Sequence, residues 1–278
     1  MIIILELNQI HLGDCLNIMK KINDDSIDLT ITSPPYDNLR TYNNSLEWSF
    51  EVFKLIAGEL FRITKPGGVI VWVVGDATIK GSETGASFRQ ALHFKDIGFN
   101  LHDTMIYEKD CCPFPETNRY YPYFEYMFIL SKGKPKTHNL IADKPNKRYG
   151  EKVTGNAREK NGEVKQHNAV KRGLDRKIKE FGVRGNVWRY SVGKWKVTKD
   201  SIAYEHPAIF PEQLAHDHII TWSKEEDIVF DPFVGSGTTC KMAMLAGRNY
   251  IGIEKDEKYC EIAKSRILQH SNTNVLSD

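Results

Sequence analysis

Asp227-Ile-Val-Phe-Asp-Pro-Phe-Val-Gly-Ser-Gly-Thr-Thr239 reads as a strand that runs into a glycine turn and then a helix. The apolar run ending at Asp231 is short and β-rich, the pattern of a buried strand. Gly235 and Gly237 let the chain turn tightly and bring a ligand close to backbone amides at a helix start. Tyr250-Ile-Gly-Ile253 is the next strand, closed by Glu254 nineteen positions after Gly235. Asp256 then opens a helix with Tyr259, Ile262, Ala263 and Ile267 facing inward. Strand, glycine turn, helix, strand and acid form a nucleotide-binding βαβ unit, whose acid can accept both hydroxyls of a ribose. The fold class is α/β.

The ligand is not an ordinary dinucleotide. Position 240 is Cys where the dinucleotide fingerprint places its third Gly, and the Gly-Lys-Ser/Thr of a phosphate loop is missing. Asp231 would repel a pyrophosphate and suits a cationic or amino-bearing ligand. A sulfonium-bearing amino acid joined to adenosine has that profile. A glycine turn without a ligand is the plain alternative.

Upstream, His206-Pro-Ala-Ile-Phe210 leads into a helix that Pro211 can open, with Ala215, Ile219 and Trp222 on one face. Before it the character of the chain changes. Residues 132–200 hold 20 Lys+Arg against 7 Asp+Glu, a net of +13, while the remainder holds 18 against 29, a net of −11. A single charge run is usually a solvated face, but a whole segment of one sign flanked by acidic halves marks a polyanion partner. The segment is rich in Asn and Gly and short of apolar periodicity, so it is expected as an insertion, partly disordered without a partner. Asn186-Val-Trp-Arg-Tyr190 and Trp195 mix aromatics with cations, either for backbone contact and base stacking or as the segment's apolar anchor.

In the first half, Gln9–Leu12 and Asp28–Thr32 are expected as strands. Gly13-Asp14 follows the first, and Asp14 caps the next helix or contacts a ligand. Thr32-Ser-Pro-Pro-Tyr36 follows the second. Two prolines end the ladder and hold the chain extended. Ser33 then offers a hydroxyl, Pro34 a carbonyl and Tyr36 an aromatic face at a strand's carboxyl end, where ligands of open α/β sheets bind. Arg40 and Tyr42 are candidate substrate contacts, and Ser45 is expected to cap a helix through Arg62 that Lys65-Pro-Gly-Gly68 stops. Val69–Val74 is a continuous apolar run, expected as a central parallel strand buried on both faces. A helix over Ser87–Phe94 and strands near Leu101–Tyr107 and Glu125–Ser131 follow. Between these strands, Cys112-Pro-Phe-Pro115 and Arg119-Tyr-Tyr-Pro-Tyr123 form either a packed loop or a wall around Ser33.

The 278 residues, 41% hydrophobic and 27% charged, describe an ordinary soluble protein with room for one large domain and an insertion. Met-Ile-Ile-Ile-Leu-Glu at the start has no cationic leader and breaks at Glu6, so neither a secretory signal nor a membrane span is expected. The five cysteines make no C-x-x-C pair, which argues against a metal site or disulfide frame and for a reducing, cytoplasmic setting.

Three motifs now resemble one family. Asp231-Pro-Phe-Val-Gly-Ser-Gly-Thr-Thr239 is similar to the S-adenosylmethionine loop of DNA amino-methyltransferases, Thr32-Ser-Pro-Pro-Tyr36 to their catalytic motif, and His206-Pro-Ala-Ile-Phe-Pro211 to the segment receiving the methionine end of the cofactor. Their order, catalytic motif first and cofactor loop late, resembles the permuted β group. The resemblance runs from about Gly13 to Ile267, outside the basic insertion. It implies a Rossmann-like sheet, mostly parallel with one antiparallel strand, helices on both faces, and three regions: a catalytic half over 1–132, a basic target-recognition insertion over 133–200, and a cofactor half over 201–278.

It also implies roles. Asp231, Phe233, Gly235, Ser236, Gly237, Thr238 and Thr239 would hold the methionine part of S-adenosylmethionine, with His206 and Phe210 behind it. Glu254 would take the ribose and Asp14 the adenine amine. Ser33 and the Pro34 carbonyl would accept hydrogen bonds from the target amine, Pro35 would stiffen the turn, and Tyr36 would stack on the extruded base. Ser at position 33 leans toward N4 of cytosine, where Asp or Asn leans toward N6 of adenine. No Cys follows a Pro as a ring-carbon nucleophile would, which disfavours C5. The expected partner is double-stranded DNA. A separate restriction endonuclease and a homodimer are compatible with the resemblance and not required by it. An adenine-N6 methyltransferase of the same fold is the nearest rival. A nicotinamide-dependent oxidoreductase and a non-catalytic nucleic-acid-binding module are more distant.

Overall fold

A computed structural model describes residues 5–35, 48–111, 118–153, 155–166 and 176–271. The chain divides into two compact units, Met1–Asn139 with Asn186–Asp278, and Leu140–Gly185. The first unit is built on an eight-stranded sheet: β1 (Gln9–Leu12), β2 (Ile27–Thr32), β3 (Thr64–Val74), β4 (Asn100–Lys109), β5 (Phe124–Ser131), β6 (Val187–Tyr190), β7 (Ile228–Asp231) and β8 (Asn249–Glu254). Their spatial order is β1-β8-β7-β2-β3-β5-β4-β6. Only β5 runs antiparallel to its neighbours, β3 and β4; every other pairing is parallel. The expected Rossmann-like sheet, mostly parallel with one antiparallel strand, is what forms.

The helices are α1 (Cys15–Met19), α2 (Phe50–Ile63), α3 (Ala86–Asp96), α4 (Glu212–Trp222), α5 (Thr238–Leu245) and α6 (Glu257–Ser271). Residues Val69–Val74 of β3 are buried on both faces, as the continuous apolar run requires. Ile70, Trp72 and Val74 share one core with Phe53, Ile56 and Leu60 of α2 and Phe94 of α3. The alternate residues Val71 and Val73 fill the opposite face, where α4 packs on β2 and α5 on β7 and β8. Trp72 meets its polar obligation by donating to Gln90 Oε1 at 2.8 Å. Each such large side chain contributes about 1.5–3 kcal/mol by leaving water. No described helix is long and apolar enough to cross a membrane.

One local expectation is corrected and one open alternative is decided. α2 starts at Ser49, whose Oγ accepts from Val52 N at 3.2 Å, rather than at Ser45, which lies outside the described residues. Tyr107 and Tyr190 pack with their rings tilted 56° at 5.9 Å, and Val187–Tyr190 joins the main sheet beside β4. Trp188 stacks on His218 with centroids 4.6 Å apart, and Tyr190 donates to Asp217 at 2.8 Å. Their burial makes this run an anchor, with no faces left for bases; Trp195 remains 46% exposed. The contact boundary therefore lies at 140 and 185, inside the 133–200 expected from charge.

The second unit has little apolar burial. Two-residue and three-residue ribbons, Lys144–Pro145 with Phe181–Gly182 and Asn156–Arg158 with Val164–Gln166, carry it. Arg184 grips Asp143 with its guanidinium and bonds Ile141 through its backbone, closing the unit's base. It holds 13 Lys+Arg against 6 Asp+Glu.

Candidate active site

Parallel pairing sets four strand ends side by side. Leu12 is level with Glu254, Asp231 with Gly252, and Phe230 with Thr30. Gly13-Asp14, Glu254, Asp231 and Ser33 therefore leave the sheet along one edge, and Ser33 and Gly235 become neighbours despite their separation in sequence. A cavity of about 610 Å³ opens there. Asp14, Ser33, Pro34, Pro35, His206, Phe210, Asp231, Phe233, Gly235, Ser236, Thr238, Thr239 and Glu254 all line it. Gly237 does not; it turns the chain at φ +88°, where a side chain would strike Ala263. Tyr36, Arg40, Tyr42 and Cys112–Pro115 lie outside the described residues.

The glycine loop is held from within the site. Gly235 N donates to Glu254 Oε2 at 2.8 Å, and Asp256 N donates to Glu254 Oε1 at 2.9 Å. Gly235 has φ +52°, and a Cβ there would sit 3.0 Å from the His206 ring. His206 packs edge-on to Tyr259 at 4.4 Å, with its Nδ1 2.7 Å from the Ala208 carbonyl oxygen. Cys240 occupies the fingerprint's third-glycine position because the strand supplies the space instead: a Cβ on Gly252 would lie 2.8 Å from Cys240 Sγ.

Asp231 is the electrostatic centre. Its Oδ1 accepts from Thr32 Oγ1 at 2.7 Å and from Phe233 N at 3.0 Å. Burial pushes its carboxyl up to about 6, against hydrogen bonds from Thr32, Phe233 and Thr239 that favour the charged form. Burial also raises Glu254, opposed by backbone N–H groups of Asp256, Gly235 and Lys255. Two carboxyls of raised pKa in one cavity mark a candidate ligand site. Asp14 accepts from Asn17 N at 3.2 Å as the α1 cap, and it also lines the cavity. Cys15 also borders the cavity, but burial and then Asp14 push its thiol up to about 12, so it is no thiolate nucleophile.

Behind the loop lies a charge network that sequence reading missed. Arg266, fully buried, donates to the Ser236 carbonyl at 2.6 Å, Thr238 Oγ1 at 3.1 Å, Asp200 Oδ2 at 2.9 Å and Glu212 Oε1 at 2.7 Å. Lys241 Nζ reaches Asp200 and Glu212, each at 2.7 Å. Burial pushes Asp200 up, but hydrogen bonds from Lys241, His270 and Arg266 outweigh it and hold the carboxyl far below its usual range. Arg266 sits between Ala263 and Ile267 on the inward face of α6, and an arginine in an apolar stripe was the available signal. Among the described residues no cluster of three His, Cys, Asp or Glu could hold a metal ion.

Known proteins are similar to this chain. The DNA methylase family, of N6 and N4 amino-methyltransferases, matches residues 27–265. The orphan methyltransferase M.BamHII of Bacillus amyloliquefaciens is 61% identical over 250 residues, 89% of this chain and 91% of that protein. PvuII DNA methyltransferase (cytosine-N4-specific) superposes with a TM-score of 0.68 at 20% identity, over 96% of this chain and 90% of that one. The M1.HpyAVI–SAM complex does so at 0.58 and 24%, over 93% and 98%. These two structures speak for the fold, whereas the family match and the 61% relative speak for membership. The chain belongs to the DNA methylase family.

Proposed function

We propose that this DNA methyltransferase moves a methyl group from S-adenosylmethionine to the exocyclic N4 of cytosine in DNA, at a specific site. The observation that carries the reading is Ser33-Pro34 opening into the same cavity as Asp231, the glycine loop and Glu254. The residues fit the cofactor. Asp231 is a buried acid suited to a cationic ligand, Glu254 presents acceptors for a ribose, and the glycine at 235 keeps the wall open. His206 and Phe210 would back the methionine end, and Asp14 would take the adenine amine. When bound, S-adenosylmethionine supplies an electrophilic methyl on a sulfonium.

An aromatic amine is a poor nucleophile because its lone pair is delocalised into the ring. Ser33 Oγ and the Pro34 carbonyl accept its two hydrogens, draw them out of plane and localise that lone pair. Pro34 has no N–H to compete, and Pro35 keeps the turn extended. Attack then depends on positioning more than on a strong base. Ser33 is too weakly basic to take the proton first, so proton loss follows methyl transfer. The base must leave the duplex, with Tyr36 offsetting part of the unstacking cost. Ser rather than Asp at position 33 favours cytosine.

The basic second unit, Leu140–Gly185, is assigned to target recognition, and its affinity should fall steeply with salt. The relative named an orphan methyltransferase favours action without a paired endonuclease. The test is incubation with DNA and methyl-labelled cofactor, followed by digestion to nucleosides. Label in N4-methylcytosine supports the reading. Label in N6-methyladenine overturns the base, and no label in any DNA overturns the substrate.

A further inference from the structure

Lys109 and Glu125 are charged groups on the cavity wall that the chemistry at Ser33 leaves unused. Lys109 is the last residue of β4 and Glu125 the second of β5. Lys109 Nζ lies 2.6 Å from Glu125 Oε1, with the side chains only 24% and 16% exposed.

Register places this pair relative to Ser33. Thr32 is level with Trp72, so Ser33 and Pro34 run beside Val73 and Val74. Val74 is level with Tyr126, so Glu125 stands opposite Gly75, and a Cβ on Gly75 would lie 3.5 Å from Glu125 Cγ. Glu125 is two strands from Pro34, about 10 Å at the usual spacing, with no side chain on Gly75 between them, and Lys109 reaches in from the next strand to place its ammonium beside Glu125. A six-membered ring, hydrogen-bonded at both edges by contacts of about 2.9 Å, fills such a span.

We propose that Lys109 reads the Watson–Crick edge of the target base beside the amine held by Ser33 and Pro34, an inference that rests on cytosine-N4 methylation as the reading of the site. An ammonium has three donors and no acceptor, and Glu125 takes one. Cytosine shows two adjacent acceptors, N3 and O2, next to its amine. Adenine shows one, N1, followed by a C–H. Guanine and thymine put a ring N–H where Lys109 needs an acceptor. The lysine is therefore satisfied fully by cytosine alone. Glu125 orients the ammonium and balances its charge, so the amine does not become cationic beside an uncompensated cation.

The test uses the full chain and a duplex bearing its own site, located by sequencing methylated plasmid. The target is either cytosine or 3-deazacytosine, which lacks the N3 acceptor. The native chain should lose about 10- to 100-fold in kcat/KM on the analogue. K109M should lose a similar factor on cytosine yet be indifferent to the analogue, and K109R should recover part of the activity. Comparing the two proteins cancels any change in the amine's own reactivity. S-adenosylhomocysteine should bind all variants equally, and K109Q serves if K109M does not fold. A K109M enzyme that still discriminates against the analogue overturns the assignment while methyl transfer to cytosine stands. Label in N6-methyladenine from the native chain overturns the assignment together with the reading beneath it.

Discussion

Thr32 Oγ1 donates a 2.7 Å hydrogen bond to Asp231 Oδ1 across 199 positions, tying the last residue of β2 to the last residue of β7. The catalytic turn and the cofactor loop therefore start from one buried contact. T32V keeps the shape and removes the donor, leaving a buried carboxyl short of a partner. Urea unfolding should show a loss of about 1–3 kcal/mol. The Asp231 carboxyl should also titrate at higher pH, read from the pH dependence of S-adenosylhomocysteine binding.

That titration has a defined sign. Asp231 holds its proton to about pH 6 when folded, above its unfolded value. The folded chain binds the proton more tightly, so the contribution is complete below about pH 4 and is lost as pH rises through 6, amounting to about 3 kcal/mol. Cofactor binding runs the other way, because the ligand's ammonium group needs the ionised form. Affinity for S-adenosylhomocysteine should rise about tenfold per pH unit up to pH 6. D231N should flatten both profiles and weaken binding; a D231N chain with the native slopes would assign them to another group.

Ser33 is expected to act on the amine and not on the cofactor. S33A should lower kcat by about 10²–10³, while calorimetric affinity for S-adenosylhomocysteine and for DNA changes less than about twofold, within surface-substitution scatter.

Gly252 and Cys240 are a packing pair. G252A puts a Cβ 2.5 Å from Val234 Cγ2 and 2.8 Å from Cys240 Sγ. It should cost about 1–3 kcal/mol in thermal or urea unfolding. C240A removes one of the two clashes, so the double variant should be more stable than G252A alone. Additive losses would mean the pair is not coupled.

Arg266 joins the glycine loop to Asp200 and Glu212. R266M leaves Asp200 and Glu212 with Lys241 as their shared cation and the buried Ser236 carbonyl without this donor, and should cost about 3–5 kcal/mol in urea unfolding.

The strand-end motifs were legible because their chemistry is local. Prolines stop a ladder, glycines turn a loop, and an acid after an apolar run sits at a strand end, wherever the rest of the chain lies. The eight strands were legible for the same reason, except Val187–Tyr190. Its charge resembles the basic segment, and only pairing with β4 and burial against His218 reveal it as sheet. Asp200 was counted with the insertion on the same grounds, although it lies in the network behind the cofactor loop. That network draws on residues from 200 to 270, and no local pattern announces partners so far apart. Lys109 and Glu125 were hidden similarly, since their juxtaposition depends on the direction of β5.

That reversal has a consequence for how the site can vary. Seven strands reach the cavity edge where they leave the sheet, so their contributions follow a completed stretch of ladder. β5 alone reaches it on entry, and Lys109 N bonded to Tyr123 O marks where its connection from β4 closes. The two ends of that connection are pinned by antiparallel register. Insertions or deletions between them leave the register of the parallel core unchanged, so the connection can change length at low cost to the sheet.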